Sequence, residues 1–380
     1  MRILHVCLRY PPAIGGVETY AERLVKETRD ITAGRDVRVL TSKLYSHSPL
    51  VELDPNLLLD DPMYVQRLHH AATPFISYPR LQALTYYLGH HRPDIIHGYS
   101  FWYQPADAAA RYARRHDVSF ILHPMFYRHG NRLKPTWELY RHTLGRATFA
   151  AASAVVVISP YEQRLIEQTH LPVKRCILIP PGIDSELLQQ PQPNPFAARG
   201  IHGRIVITVS RLAPRKGLEE AISALPQVLR QHSDAQLAVI GPDFGVKDRL
   251  ERQAQQVNIA AHVHFLGRLE RNELIGAYQH ADILLHPSHY EAFGISVAEA
   301  LAAGTPVVAR NVAAIPYVAP HEQAALLFNT RDEMVSHLVT LLTDTTLAAR
   351  LAKAGQKRVQ QEFTWPSARE KILRLYDEIT

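Results

Sequence analysis

Thirteen short apolar runs punctuate this chain, and a segment rich in Pro and Gln separates the first seven from the last six. The first set is Ile3 to Leu8, Val37 to Thr41, Val65 to Leu68, Ile95 to His97, Phe120 to His123, Val155 to Ser159 and Ile177 to Ile179. The second set is Ile205 to Val209, Leu237 to Ile240, Val263 to Leu266, Ile283 to Leu285, Val307 to Ala309 and Ala325 to Phe328. Their length and β-branched content predict buried parallel strands, and helical-period segments lie between them. Alternation of this kind builds a doubly wound α/β layer, and here it happens twice. The expected fold is therefore α/β, with two Rossmann-like doubly wound parallel-sheet domains facing across a cleft.

The expected boundaries are 1–188 for the first domain, 189–200 (QQPQPNPFAARG) for a linker without periodicity, and 201–362 for the second. Residues 363–380 carry the helical stripe Ile372, Leu375, Tyr376 and Ile379, so this tail must pack on something, and the first domain is the expected partner. A length of 380 residues gives both domains room for a core of their own. Each sheet would offer a crevice at the carboxyl ends of its strands.

The formal charge is +6, and residues 1–190 hold 22 Lys+Arg against 17 Asp+Glu while 191–380 hold 20 against 19. The excess is thus N-terminal. It suits an anionic acceptor or membrane surface, although a mild excess is also common without any partner. Nucleic acid is not an expected partner. Cys7 and Cys176 each fall in a predicted buried strand, with no pair spacing and no zinc-like neighbours, which suits a reducing compartment. No secretion signal is visible in MRILHVCLRYPP, and the stretch Ala147 to Ile158 is short of the roughly 20 residues a span needs. A cytoplasmic protein is expected, with peripheral contact at the inner membrane face as a further reading.

The segment HPSHYEAFGISVAEALAAGTPVV, His286 to Val308, joins a strand end, a loop and a helix. Backbone amides of the first helical turn, with the positive end of the helix dipole, make an anion site, and Gly294 lets a phosphate approach the backbone. Glu299 lies one to two turns into that helix, within reach of a ribose diol, while Glu291 precedes it, where a hexose ring would lie. Their plain alternatives are a surface helix residue and a solvated loop acid. In VSRLAPRKGLEEAI, Arg211 follows a strand and Lys216 precedes Gly217. Cations there would stabilise charge growing on a leaving diphosphate, the place a divalent metal fills elsewhere. Exposed loop cations would look the same.

Together with RYPPAIGGVETYAERLV, DIIH, LHP, VVVISPYE, IPPGID and HFLGRL, these motifs resemble, in order and over nearly the whole chain, the retaining two-Rossmann-domain (GT-B) glycosyltransferases of family 4. The resemblance implies donor-phosphate contacts at Arg211 and Lys216, sugar contacts at Glu291 and a ribose contact at Glu299. It further implies backbone contacts along Ala292, Phe293, Gly294, Ile295 and Ser296, and base contacts at Gly267, Arg268 and Leu269. Gly15 and Gly16 would form a glycine loop near the donor phosphate, where the residues alone read as a plain turn. His123, at a strand end, matches a cleft histidine set against the transferred sugar. His97, at the end of the preceding strand, is a candidate for the acceptor side.

In many relatives the strand Val307 to Ala309 is followed by a Gly-Gly pair and a glutamate, whereas this chain has Ala313, Ala314 and Tyr317. Between Met125 and Arg146, basic residues interleave with aromatics, among them Tyr127, Arg128, Arg132, Trp137, Tyr140 and Arg141. That pattern suits an anionic membrane or a lipid-linked acceptor, and equally a buried helix face. The expected activity is retaining transfer of a hexose-type sugar from a nucleotide-diphosphate sugar, without a metal or other cofactor, to a glycan, lipid-linked or small-molecule acceptor. An epimerase on the same scaffold, releasing product from donor alone, and a non-catalytic nucleotide-sugar binder are the alternatives.

Overall fold

A computed structural model describes residues 1–29, 34–47, 50–71, 78–126 and 134–380. The chain divides into two compact units, Met1–Pro180 with Pro366–Thr380, and Pro181–Trp365.

The first unit holds the strands β1 (Arg2–Val6), β2 (Asp36–Ser42), β3 (Leu44–His47), β4 (Leu50–Glu52), β5 (Val65–Leu68), β6 (His70–Ala71), β7 (Arg80–Leu81), β8 (Ile95–Tyr99), β9 (Ser119–His123), β10 (Ala154–Val157) and β11 (Cys176–Leu178). Seven of them form one sheet in the order β11-β10-β9-β8-β1-β2-β5. These are the seven runs singled out in the sequence. The pairs β3–β4 and β6–β7 are short antiparallel ribbons that the apolar pattern does not reveal. Strand order reverses at β1, which pairs with β2 on one side and β8 on the other. Core side chains of β1, β8, β9 and β10 are almost without solvent exposure, as expected for strands covered on both faces.

The second unit carries β12 (Arg204–Val209), β13 (Ala235–Ile240), β14 (Val263–Gly267), β15 (Ile283–His286), β16 (Val307–Arg310) and β17 (Leu326–Phe328), ordered β14-β13-β12-β15-β16-β17. All six match the second set of runs. The chain moves outward from β12 through β13 to β14, then returns to β15 and moves outward the other way. The switch point therefore lies between β12 and β15, where ligand crevices of open α/β sheets form.

Residues 189–200, read as a linker, lie inside the second unit. Phe196 is buried, the Gln279 amide donates to the carbonyls of Leu188 and Gln190, and Gln192 N–H donates to Gln279 Oε1. Proline removes donors and periodicity without preventing an extended segment from packing. The crossings fall instead at Pro180/Pro181 and Trp365/Pro366. There the backbones run side by side within the second unit: Ile183 N–H donates to Phe363 O at 2.8 Å, and a Cβ on Gly182 would lie 2.4 Å from Trp365 N. Cys176 is a second correction, since it is exposed on the edge strand β11, while Cys7 is buried.

The helix Trp365–Ile379 buries Ala368, Ile372, Leu375 and Tyr376, and Pro366–Thr380 belong to the first unit. Ser119 Oγ donates to Ile379 O at 2.6 Å, and Arg35 pairs with Asp377 at 2.7 Å.

Candidate active site

In the second unit, two loops meet at the β12/β15 switch point. Gly217, before the helix Leu218–Leu229, sits at φ +72°, and a Cβ there would lie 2.1 Å from Pro287 O. Only glycine lets this loop press against the end of β15. His289 N–H donates to Arg215 O at 2.9 Å, pinning the same contact. The consequence is that Lys216 Nζ reaches Glu291 Oε1 at 2.6 Å, across 75 residues of sequence.

The same carboxylate oxygen lies 3.3 Å from Nε2 of His286, the last residue of β15, off the line of a hydrogen bond. His286 Nδ1 lies 3.5 Å from Ser296 Oγ. Burial pushes the Glu291 carboxyl up, but the His286 imidazole and the Lys216 ammonium outweigh it and hold Glu291 well below the usual carboxylate range. Glu291 is therefore ionised at neutral pH.

Gly294, at φ +99°, precedes the helix Ile295–Ala303, and no side chain caps that N-terminus. A Cβ on Gly294 would lie 2.7 Å from Ile315 Cδ1, so bulk is excluded on that side. Nearby, the buried Ser288 hydroxyl has no hydrogen-bond partner among the described residues. An uncapped helix start, a cation, an ionised carboxylate and unpartnered buried polar atoms together suit an anionic, hydroxyl-bearing ligand.

The remaining donor candidates are not all gathered here. Glu299 is held by Arg271 Nη1 at 2.6 Å and by the Tyr278 hydroxyl at 3.1 Å, one contact on each carboxylate oxygen. Arg211 is exposed with its guanidinium 5.2 Å from the Phe244 ring centre, and no contact joins it to Lys216 or Glu291. Gly267 closes β14 at φ +66°, Arg268 is exposed and Leu269 is buried. Phe293 is buried edge-on against Phe363 at 5.3 Å, while Ala292, Ile295 and Ser296 stay partly exposed around the helix start. Ala313 adopts φ +49°, and Ala314 N–H donates to Glu291 O at 3.2 Å. Alanine thus occupies a left-handed position that favours glycine, beside the site.

In the first unit, Gly16 opens the helix Gly16–Arg29, and a Cβ on Gly15 would lie 2.1 Å from Glu18 Oε2. The buried Glu18 carboxylate folds back over Gly15 and pairs with Arg9 at 2.6 Å. This explains Gly15 by local packing.

His97 and His123 are fully buried, and both belong to a row of rings on one face of the sheet. Register puts His5 beside His97 and Tyr99 beside His123, and the four rings stack with centroids 4.8 to 5.8 Å apart. Hydrogen bonds link His123 Nε2 to the Tyr20 hydroxyl at 3.1 Å, His123 Nδ1 to His97 Nε2 at 2.7 Å, and His97 Nδ1 to the Tyr376 hydroxyl at 2.9 Å. His5 Nδ1 meets the Tyr99 hydroxyl at 2.8 Å. Burial pulls His5 and His123 down to about 3, so these rings are neutral. Both ring nitrogens of His123 and of His97 are thus engaged inside the unit. Tyr127 and Arg128 lie outside the described residues. Within the same basic stretch, Trp137 and Tyr140 are buried and Arg141 pairs with Glu138, which is the buried-helix alternative.

His286 and Ser288 are site residues that the sequence pattern did not single out, although both stand in the quoted motif. Their signal is position: a polar residue closing a buried strand at a switch point. Nor did the pattern single out His5, Tyr20, Tyr99 and Tyr376, whose strand members share a face by i, i+2 spacing and register.

Two parallel doubly wound units, with this constellation at the switch point of the second, define an α/β fold with a candidate ligand crevice in its second unit. The profile "Glycosyl transferases group 1" matches residues 198–358, and "Glycosyl transferase 4-like domain" matches 15–182. The chain belongs to the group 1 glycosyltransferases of GT-B fold, and it is an enzyme of that kind. It is 27% identical to a glycogen synthase of Mycobacterium tuberculosis over 99% of this chain and 94% of that protein. It is 24% identical to a GDP-mannose-dependent alpha-(1-6)-phosphatidylinositol monomannoside mannosyltransferase of the same organism, over 98% of this chain and 97% of that one. Among solved structures, Anabaena HepE in complex with UDP aligns with TM-score 0.79 at 21% identity, covering 100% of both chains. Sucrose-phosphate synthase from Thermosynechococcus elongatus aligns with TM-score 0.78 at 22% identity, over 99% of this chain and 98% of that one. At such identities the structural likeness speaks for the fold.

Proposed function

We propose that this chain transfers a hexose from a nucleoside-diphosphate sugar, with retention of anomeric configuration and without a metal ion. The observation that carries the reading is the Lys216–Glu291 pair at the β12/β15 switch point, beside the uncapped start of the helix Ile295–Ala303. Lys216 and the first-turn amides meet the diphosphate, and their field is felt most as charge grows on the leaving phosphate. Glu291, ionised and partly exposed, accepts from sugar hydroxyls. The leaving diphosphate takes the acceptor's proton on the face from which the acceptor attacks, so no protein nucleophile is required. Glu299 would meet the ribose by exchanging one of its present partners. UDP in the HepE structure and GDP-mannose in the name of one relative support a nucleotide-sugar donor.

The test is a thermal-shift screen of UDP, GDP and ADP and their sugars, followed by NMR of the product formed with candidate acceptors. Stabilisation by one nucleotide series and an unchanged anomeric configuration are expected. An inverted product rejects retention, and release of an altered sugar from donor alone identifies an epimerase.

A lipid-linked acceptor or an anionic membrane is a second reading, and it rests on the first unit. The helices Gln104–His116 and Leu144–Ala151 contain one acid, Asp107, which is buried under the hydroxyls of Tyr78, Tyr140 and Thr148. Arg111, Arg114 and Arg115 are exposed on the first helix and form no salt bridge among the described residues, and Leu144 is exposed on the second. No helix among the described residues is long and apolar enough to cross a membrane. Sedimentation with anionic vesicles at low salt is expected, and its absence removes the reading.

A further inference from the structure

His286 is chemically out of place for a strand interior. Its ring is 3% exposed, it closes a strand whose other members are aliphatic, and it stands between two groups of the donor site. Nε2 lies 3.3 Å from Glu291 Oε1, and Nδ1 lies 3.5 Å from the hydroxyl of Ser296, in the first turn of the helix Ile295–Ala303. The imidazole faces both neighbours: Nε2 stands beside the carboxylate, off the line of a hydrogen bond, and Nδ1 is within reach of the serine hydroxyl. Lys216 Nζ binds the same Glu291 oxygen at 2.6 Å, whereas Oε2 has no partner among the described residues.

We propose that His286 is a positioning residue of the donor site, holding Glu291 Oε1 against Lys216 so that Oε2 is left to accept from a hydroxyl of the bound sugar. The proposal rests on the donor-site reading above. A carboxylate bonded to Lys216 and flanked by His286 on the same oxygen has its plane biased before ligand arrives, which lowers the cost of ordering it on binding. The linkage through Ser296 ties that orientation to the helix turn proposed for the phosphates, so sugar and diphosphate subsites keep one spacing.

The other charged groups around this point are satisfied among themselves. Glu220, on the helix Leu218–Leu229, pairs with Arg310 of β16 and with His289 Nε2 at 3.0 Å, and Arg310 Nε donates to Pro287 O at 3.1 Å. The ionisable groups in contact with Glu291 are therefore Lys216 and His286. Removing the imidazole leaves burial opposed by Lys216 alone, so the carboxyl must titrate at higher pH.

The experiment compares the wild type with His286→Leu, His286→Gln and Ser296→Ala, reading the pH profile of kcat/KM and the binding of nucleoside diphosphate with and without its sugar. Expected for His286→Leu is at least a tenfold fall in kcat/KM, an acid limb moved to higher pH, and a weaker nucleotide sugar with unchanged affinity for the bare diphosphate. His286→Gln keeps a donor toward Glu291 and should hold the acid limb near its wild-type place. Ser296→Ala should move it slightly in the same direction as leucine, and it provides the readout if His286→Leu does not fold. An acid limb that stays fixed in His286→Leu or Ser296→Ala, or equal losses for diphosphate and nucleotide sugar, overturns the proposal. A wild type that binds no nucleotide or nucleotide sugar overturns the donor-site reading itself, and the proposal with it.

Discussion

The two units carry polar clusters at comparable places, beside the strand-order reversal of a parallel sheet, and they treat their hydrogen bonds in opposite ways. In the first unit the His123, His97, Tyr376 and Tyr20 side chains close on one another, and every ring nitrogen of the two histidines has a partner. In the second, Ser288 Oγ and His286 Nε2 are buried without a hydrogen-bond partner, and the carboxylate of Glu291 is held on one side only. A closed polar network stiffens a core, whereas an open one stores binding capacity at a cost in stability. Ring chemistry alone would have ranked the histidine row above the lysine and the glutamate. Satisfaction of the hydrogen bonds reverses that ranking.

Breaking the open cluster should cost activity most. Lys216→Ala is expected to lower turnover about 10²- to 10³-fold, as for loss of one donor to a developing anion. Steady-state assays with the identified donor check this, and a kcat within threefold of wild type would remove Lys216 from the transition state. Breaking the closed cluster should cost stability instead. His97→Leu strands His123 Nδ1 and leaves the Tyr376 hydroxyl only its 3.5 Å contact with His5 Nε2, and a loss of about 2–4 kcal/mol is expected in denaturant unfolding. Nucleotide binding by the folded variant should be unchanged. A large loss of nucleotide affinity with little change in stability would invert the comparison.

Two glutamates, one buried and one half-buried, sharpen it further through pH. Glu162, in the first unit, is pushed up to about 7 by burial, against the backbone N–H groups of Ile158 and Phe126 that donate to it. Its folded form keeps a proton that the unfolded chain releases near 4.5, so its contribution is fully present below that pH and is lost as pH rises toward about 7. Glu291 runs the other way. Its contribution is present above about 4.5, the unperturbed value, and fades as pH falls through its lower folded value. The difference in melting temperature between Glu162→Gln and the wild type should therefore move in the variant's favour as pH rises from 4.5 to 7, because His5 and His123, neutral when folded, add the same opposite slope to both proteins. A difference that stays constant across that interval would contradict a protonated, buried Glu162.

The smallest effect concerns Ala313 at φ +49°. Ala313→Gly relieves a left-handed alanine and should stabilise the protein by about 0.5–1 kcal/mol, read by calorimetry. Destabilisation would mean that the Cβ packs usefully there.

Much of this architecture was legible in the chain because buried parallel strands are near-continuous apolar runs, and all thirteen were found. The β3–β4 and β6–β7 ribbons escaped because two to four residues carry no measurable period. The linker reading of 189–200 failed because Pro-rich composition is silent about Phe196, whose burial depends on distant partners. Lys216 and Glu291 came from motif and position, and their 2.6 Å contact is invisible in any local pattern. His286 was read past because a strand-end histidine has no periodicity to betray it. Glu299 was expected to stand open to a ligand, yet its oxygens are held by Arg271 and Tyr278, a coupling across more than 20 residues that spacing cannot show.

The crossing points at Pro180/Pro181 and Trp365/Pro366 also dictate an order of events on the ribosome. All the strands of the first unit emerge before any of the second, yet its Tyr376 arrives last, on the final helix. The second unit has its whole sequence in hand while the first still lacks the hydroxyl that meets His97 and His5. For that interval the earlier-born half carries an uncovered row of rings, and the later-born half is the first to be able to finish.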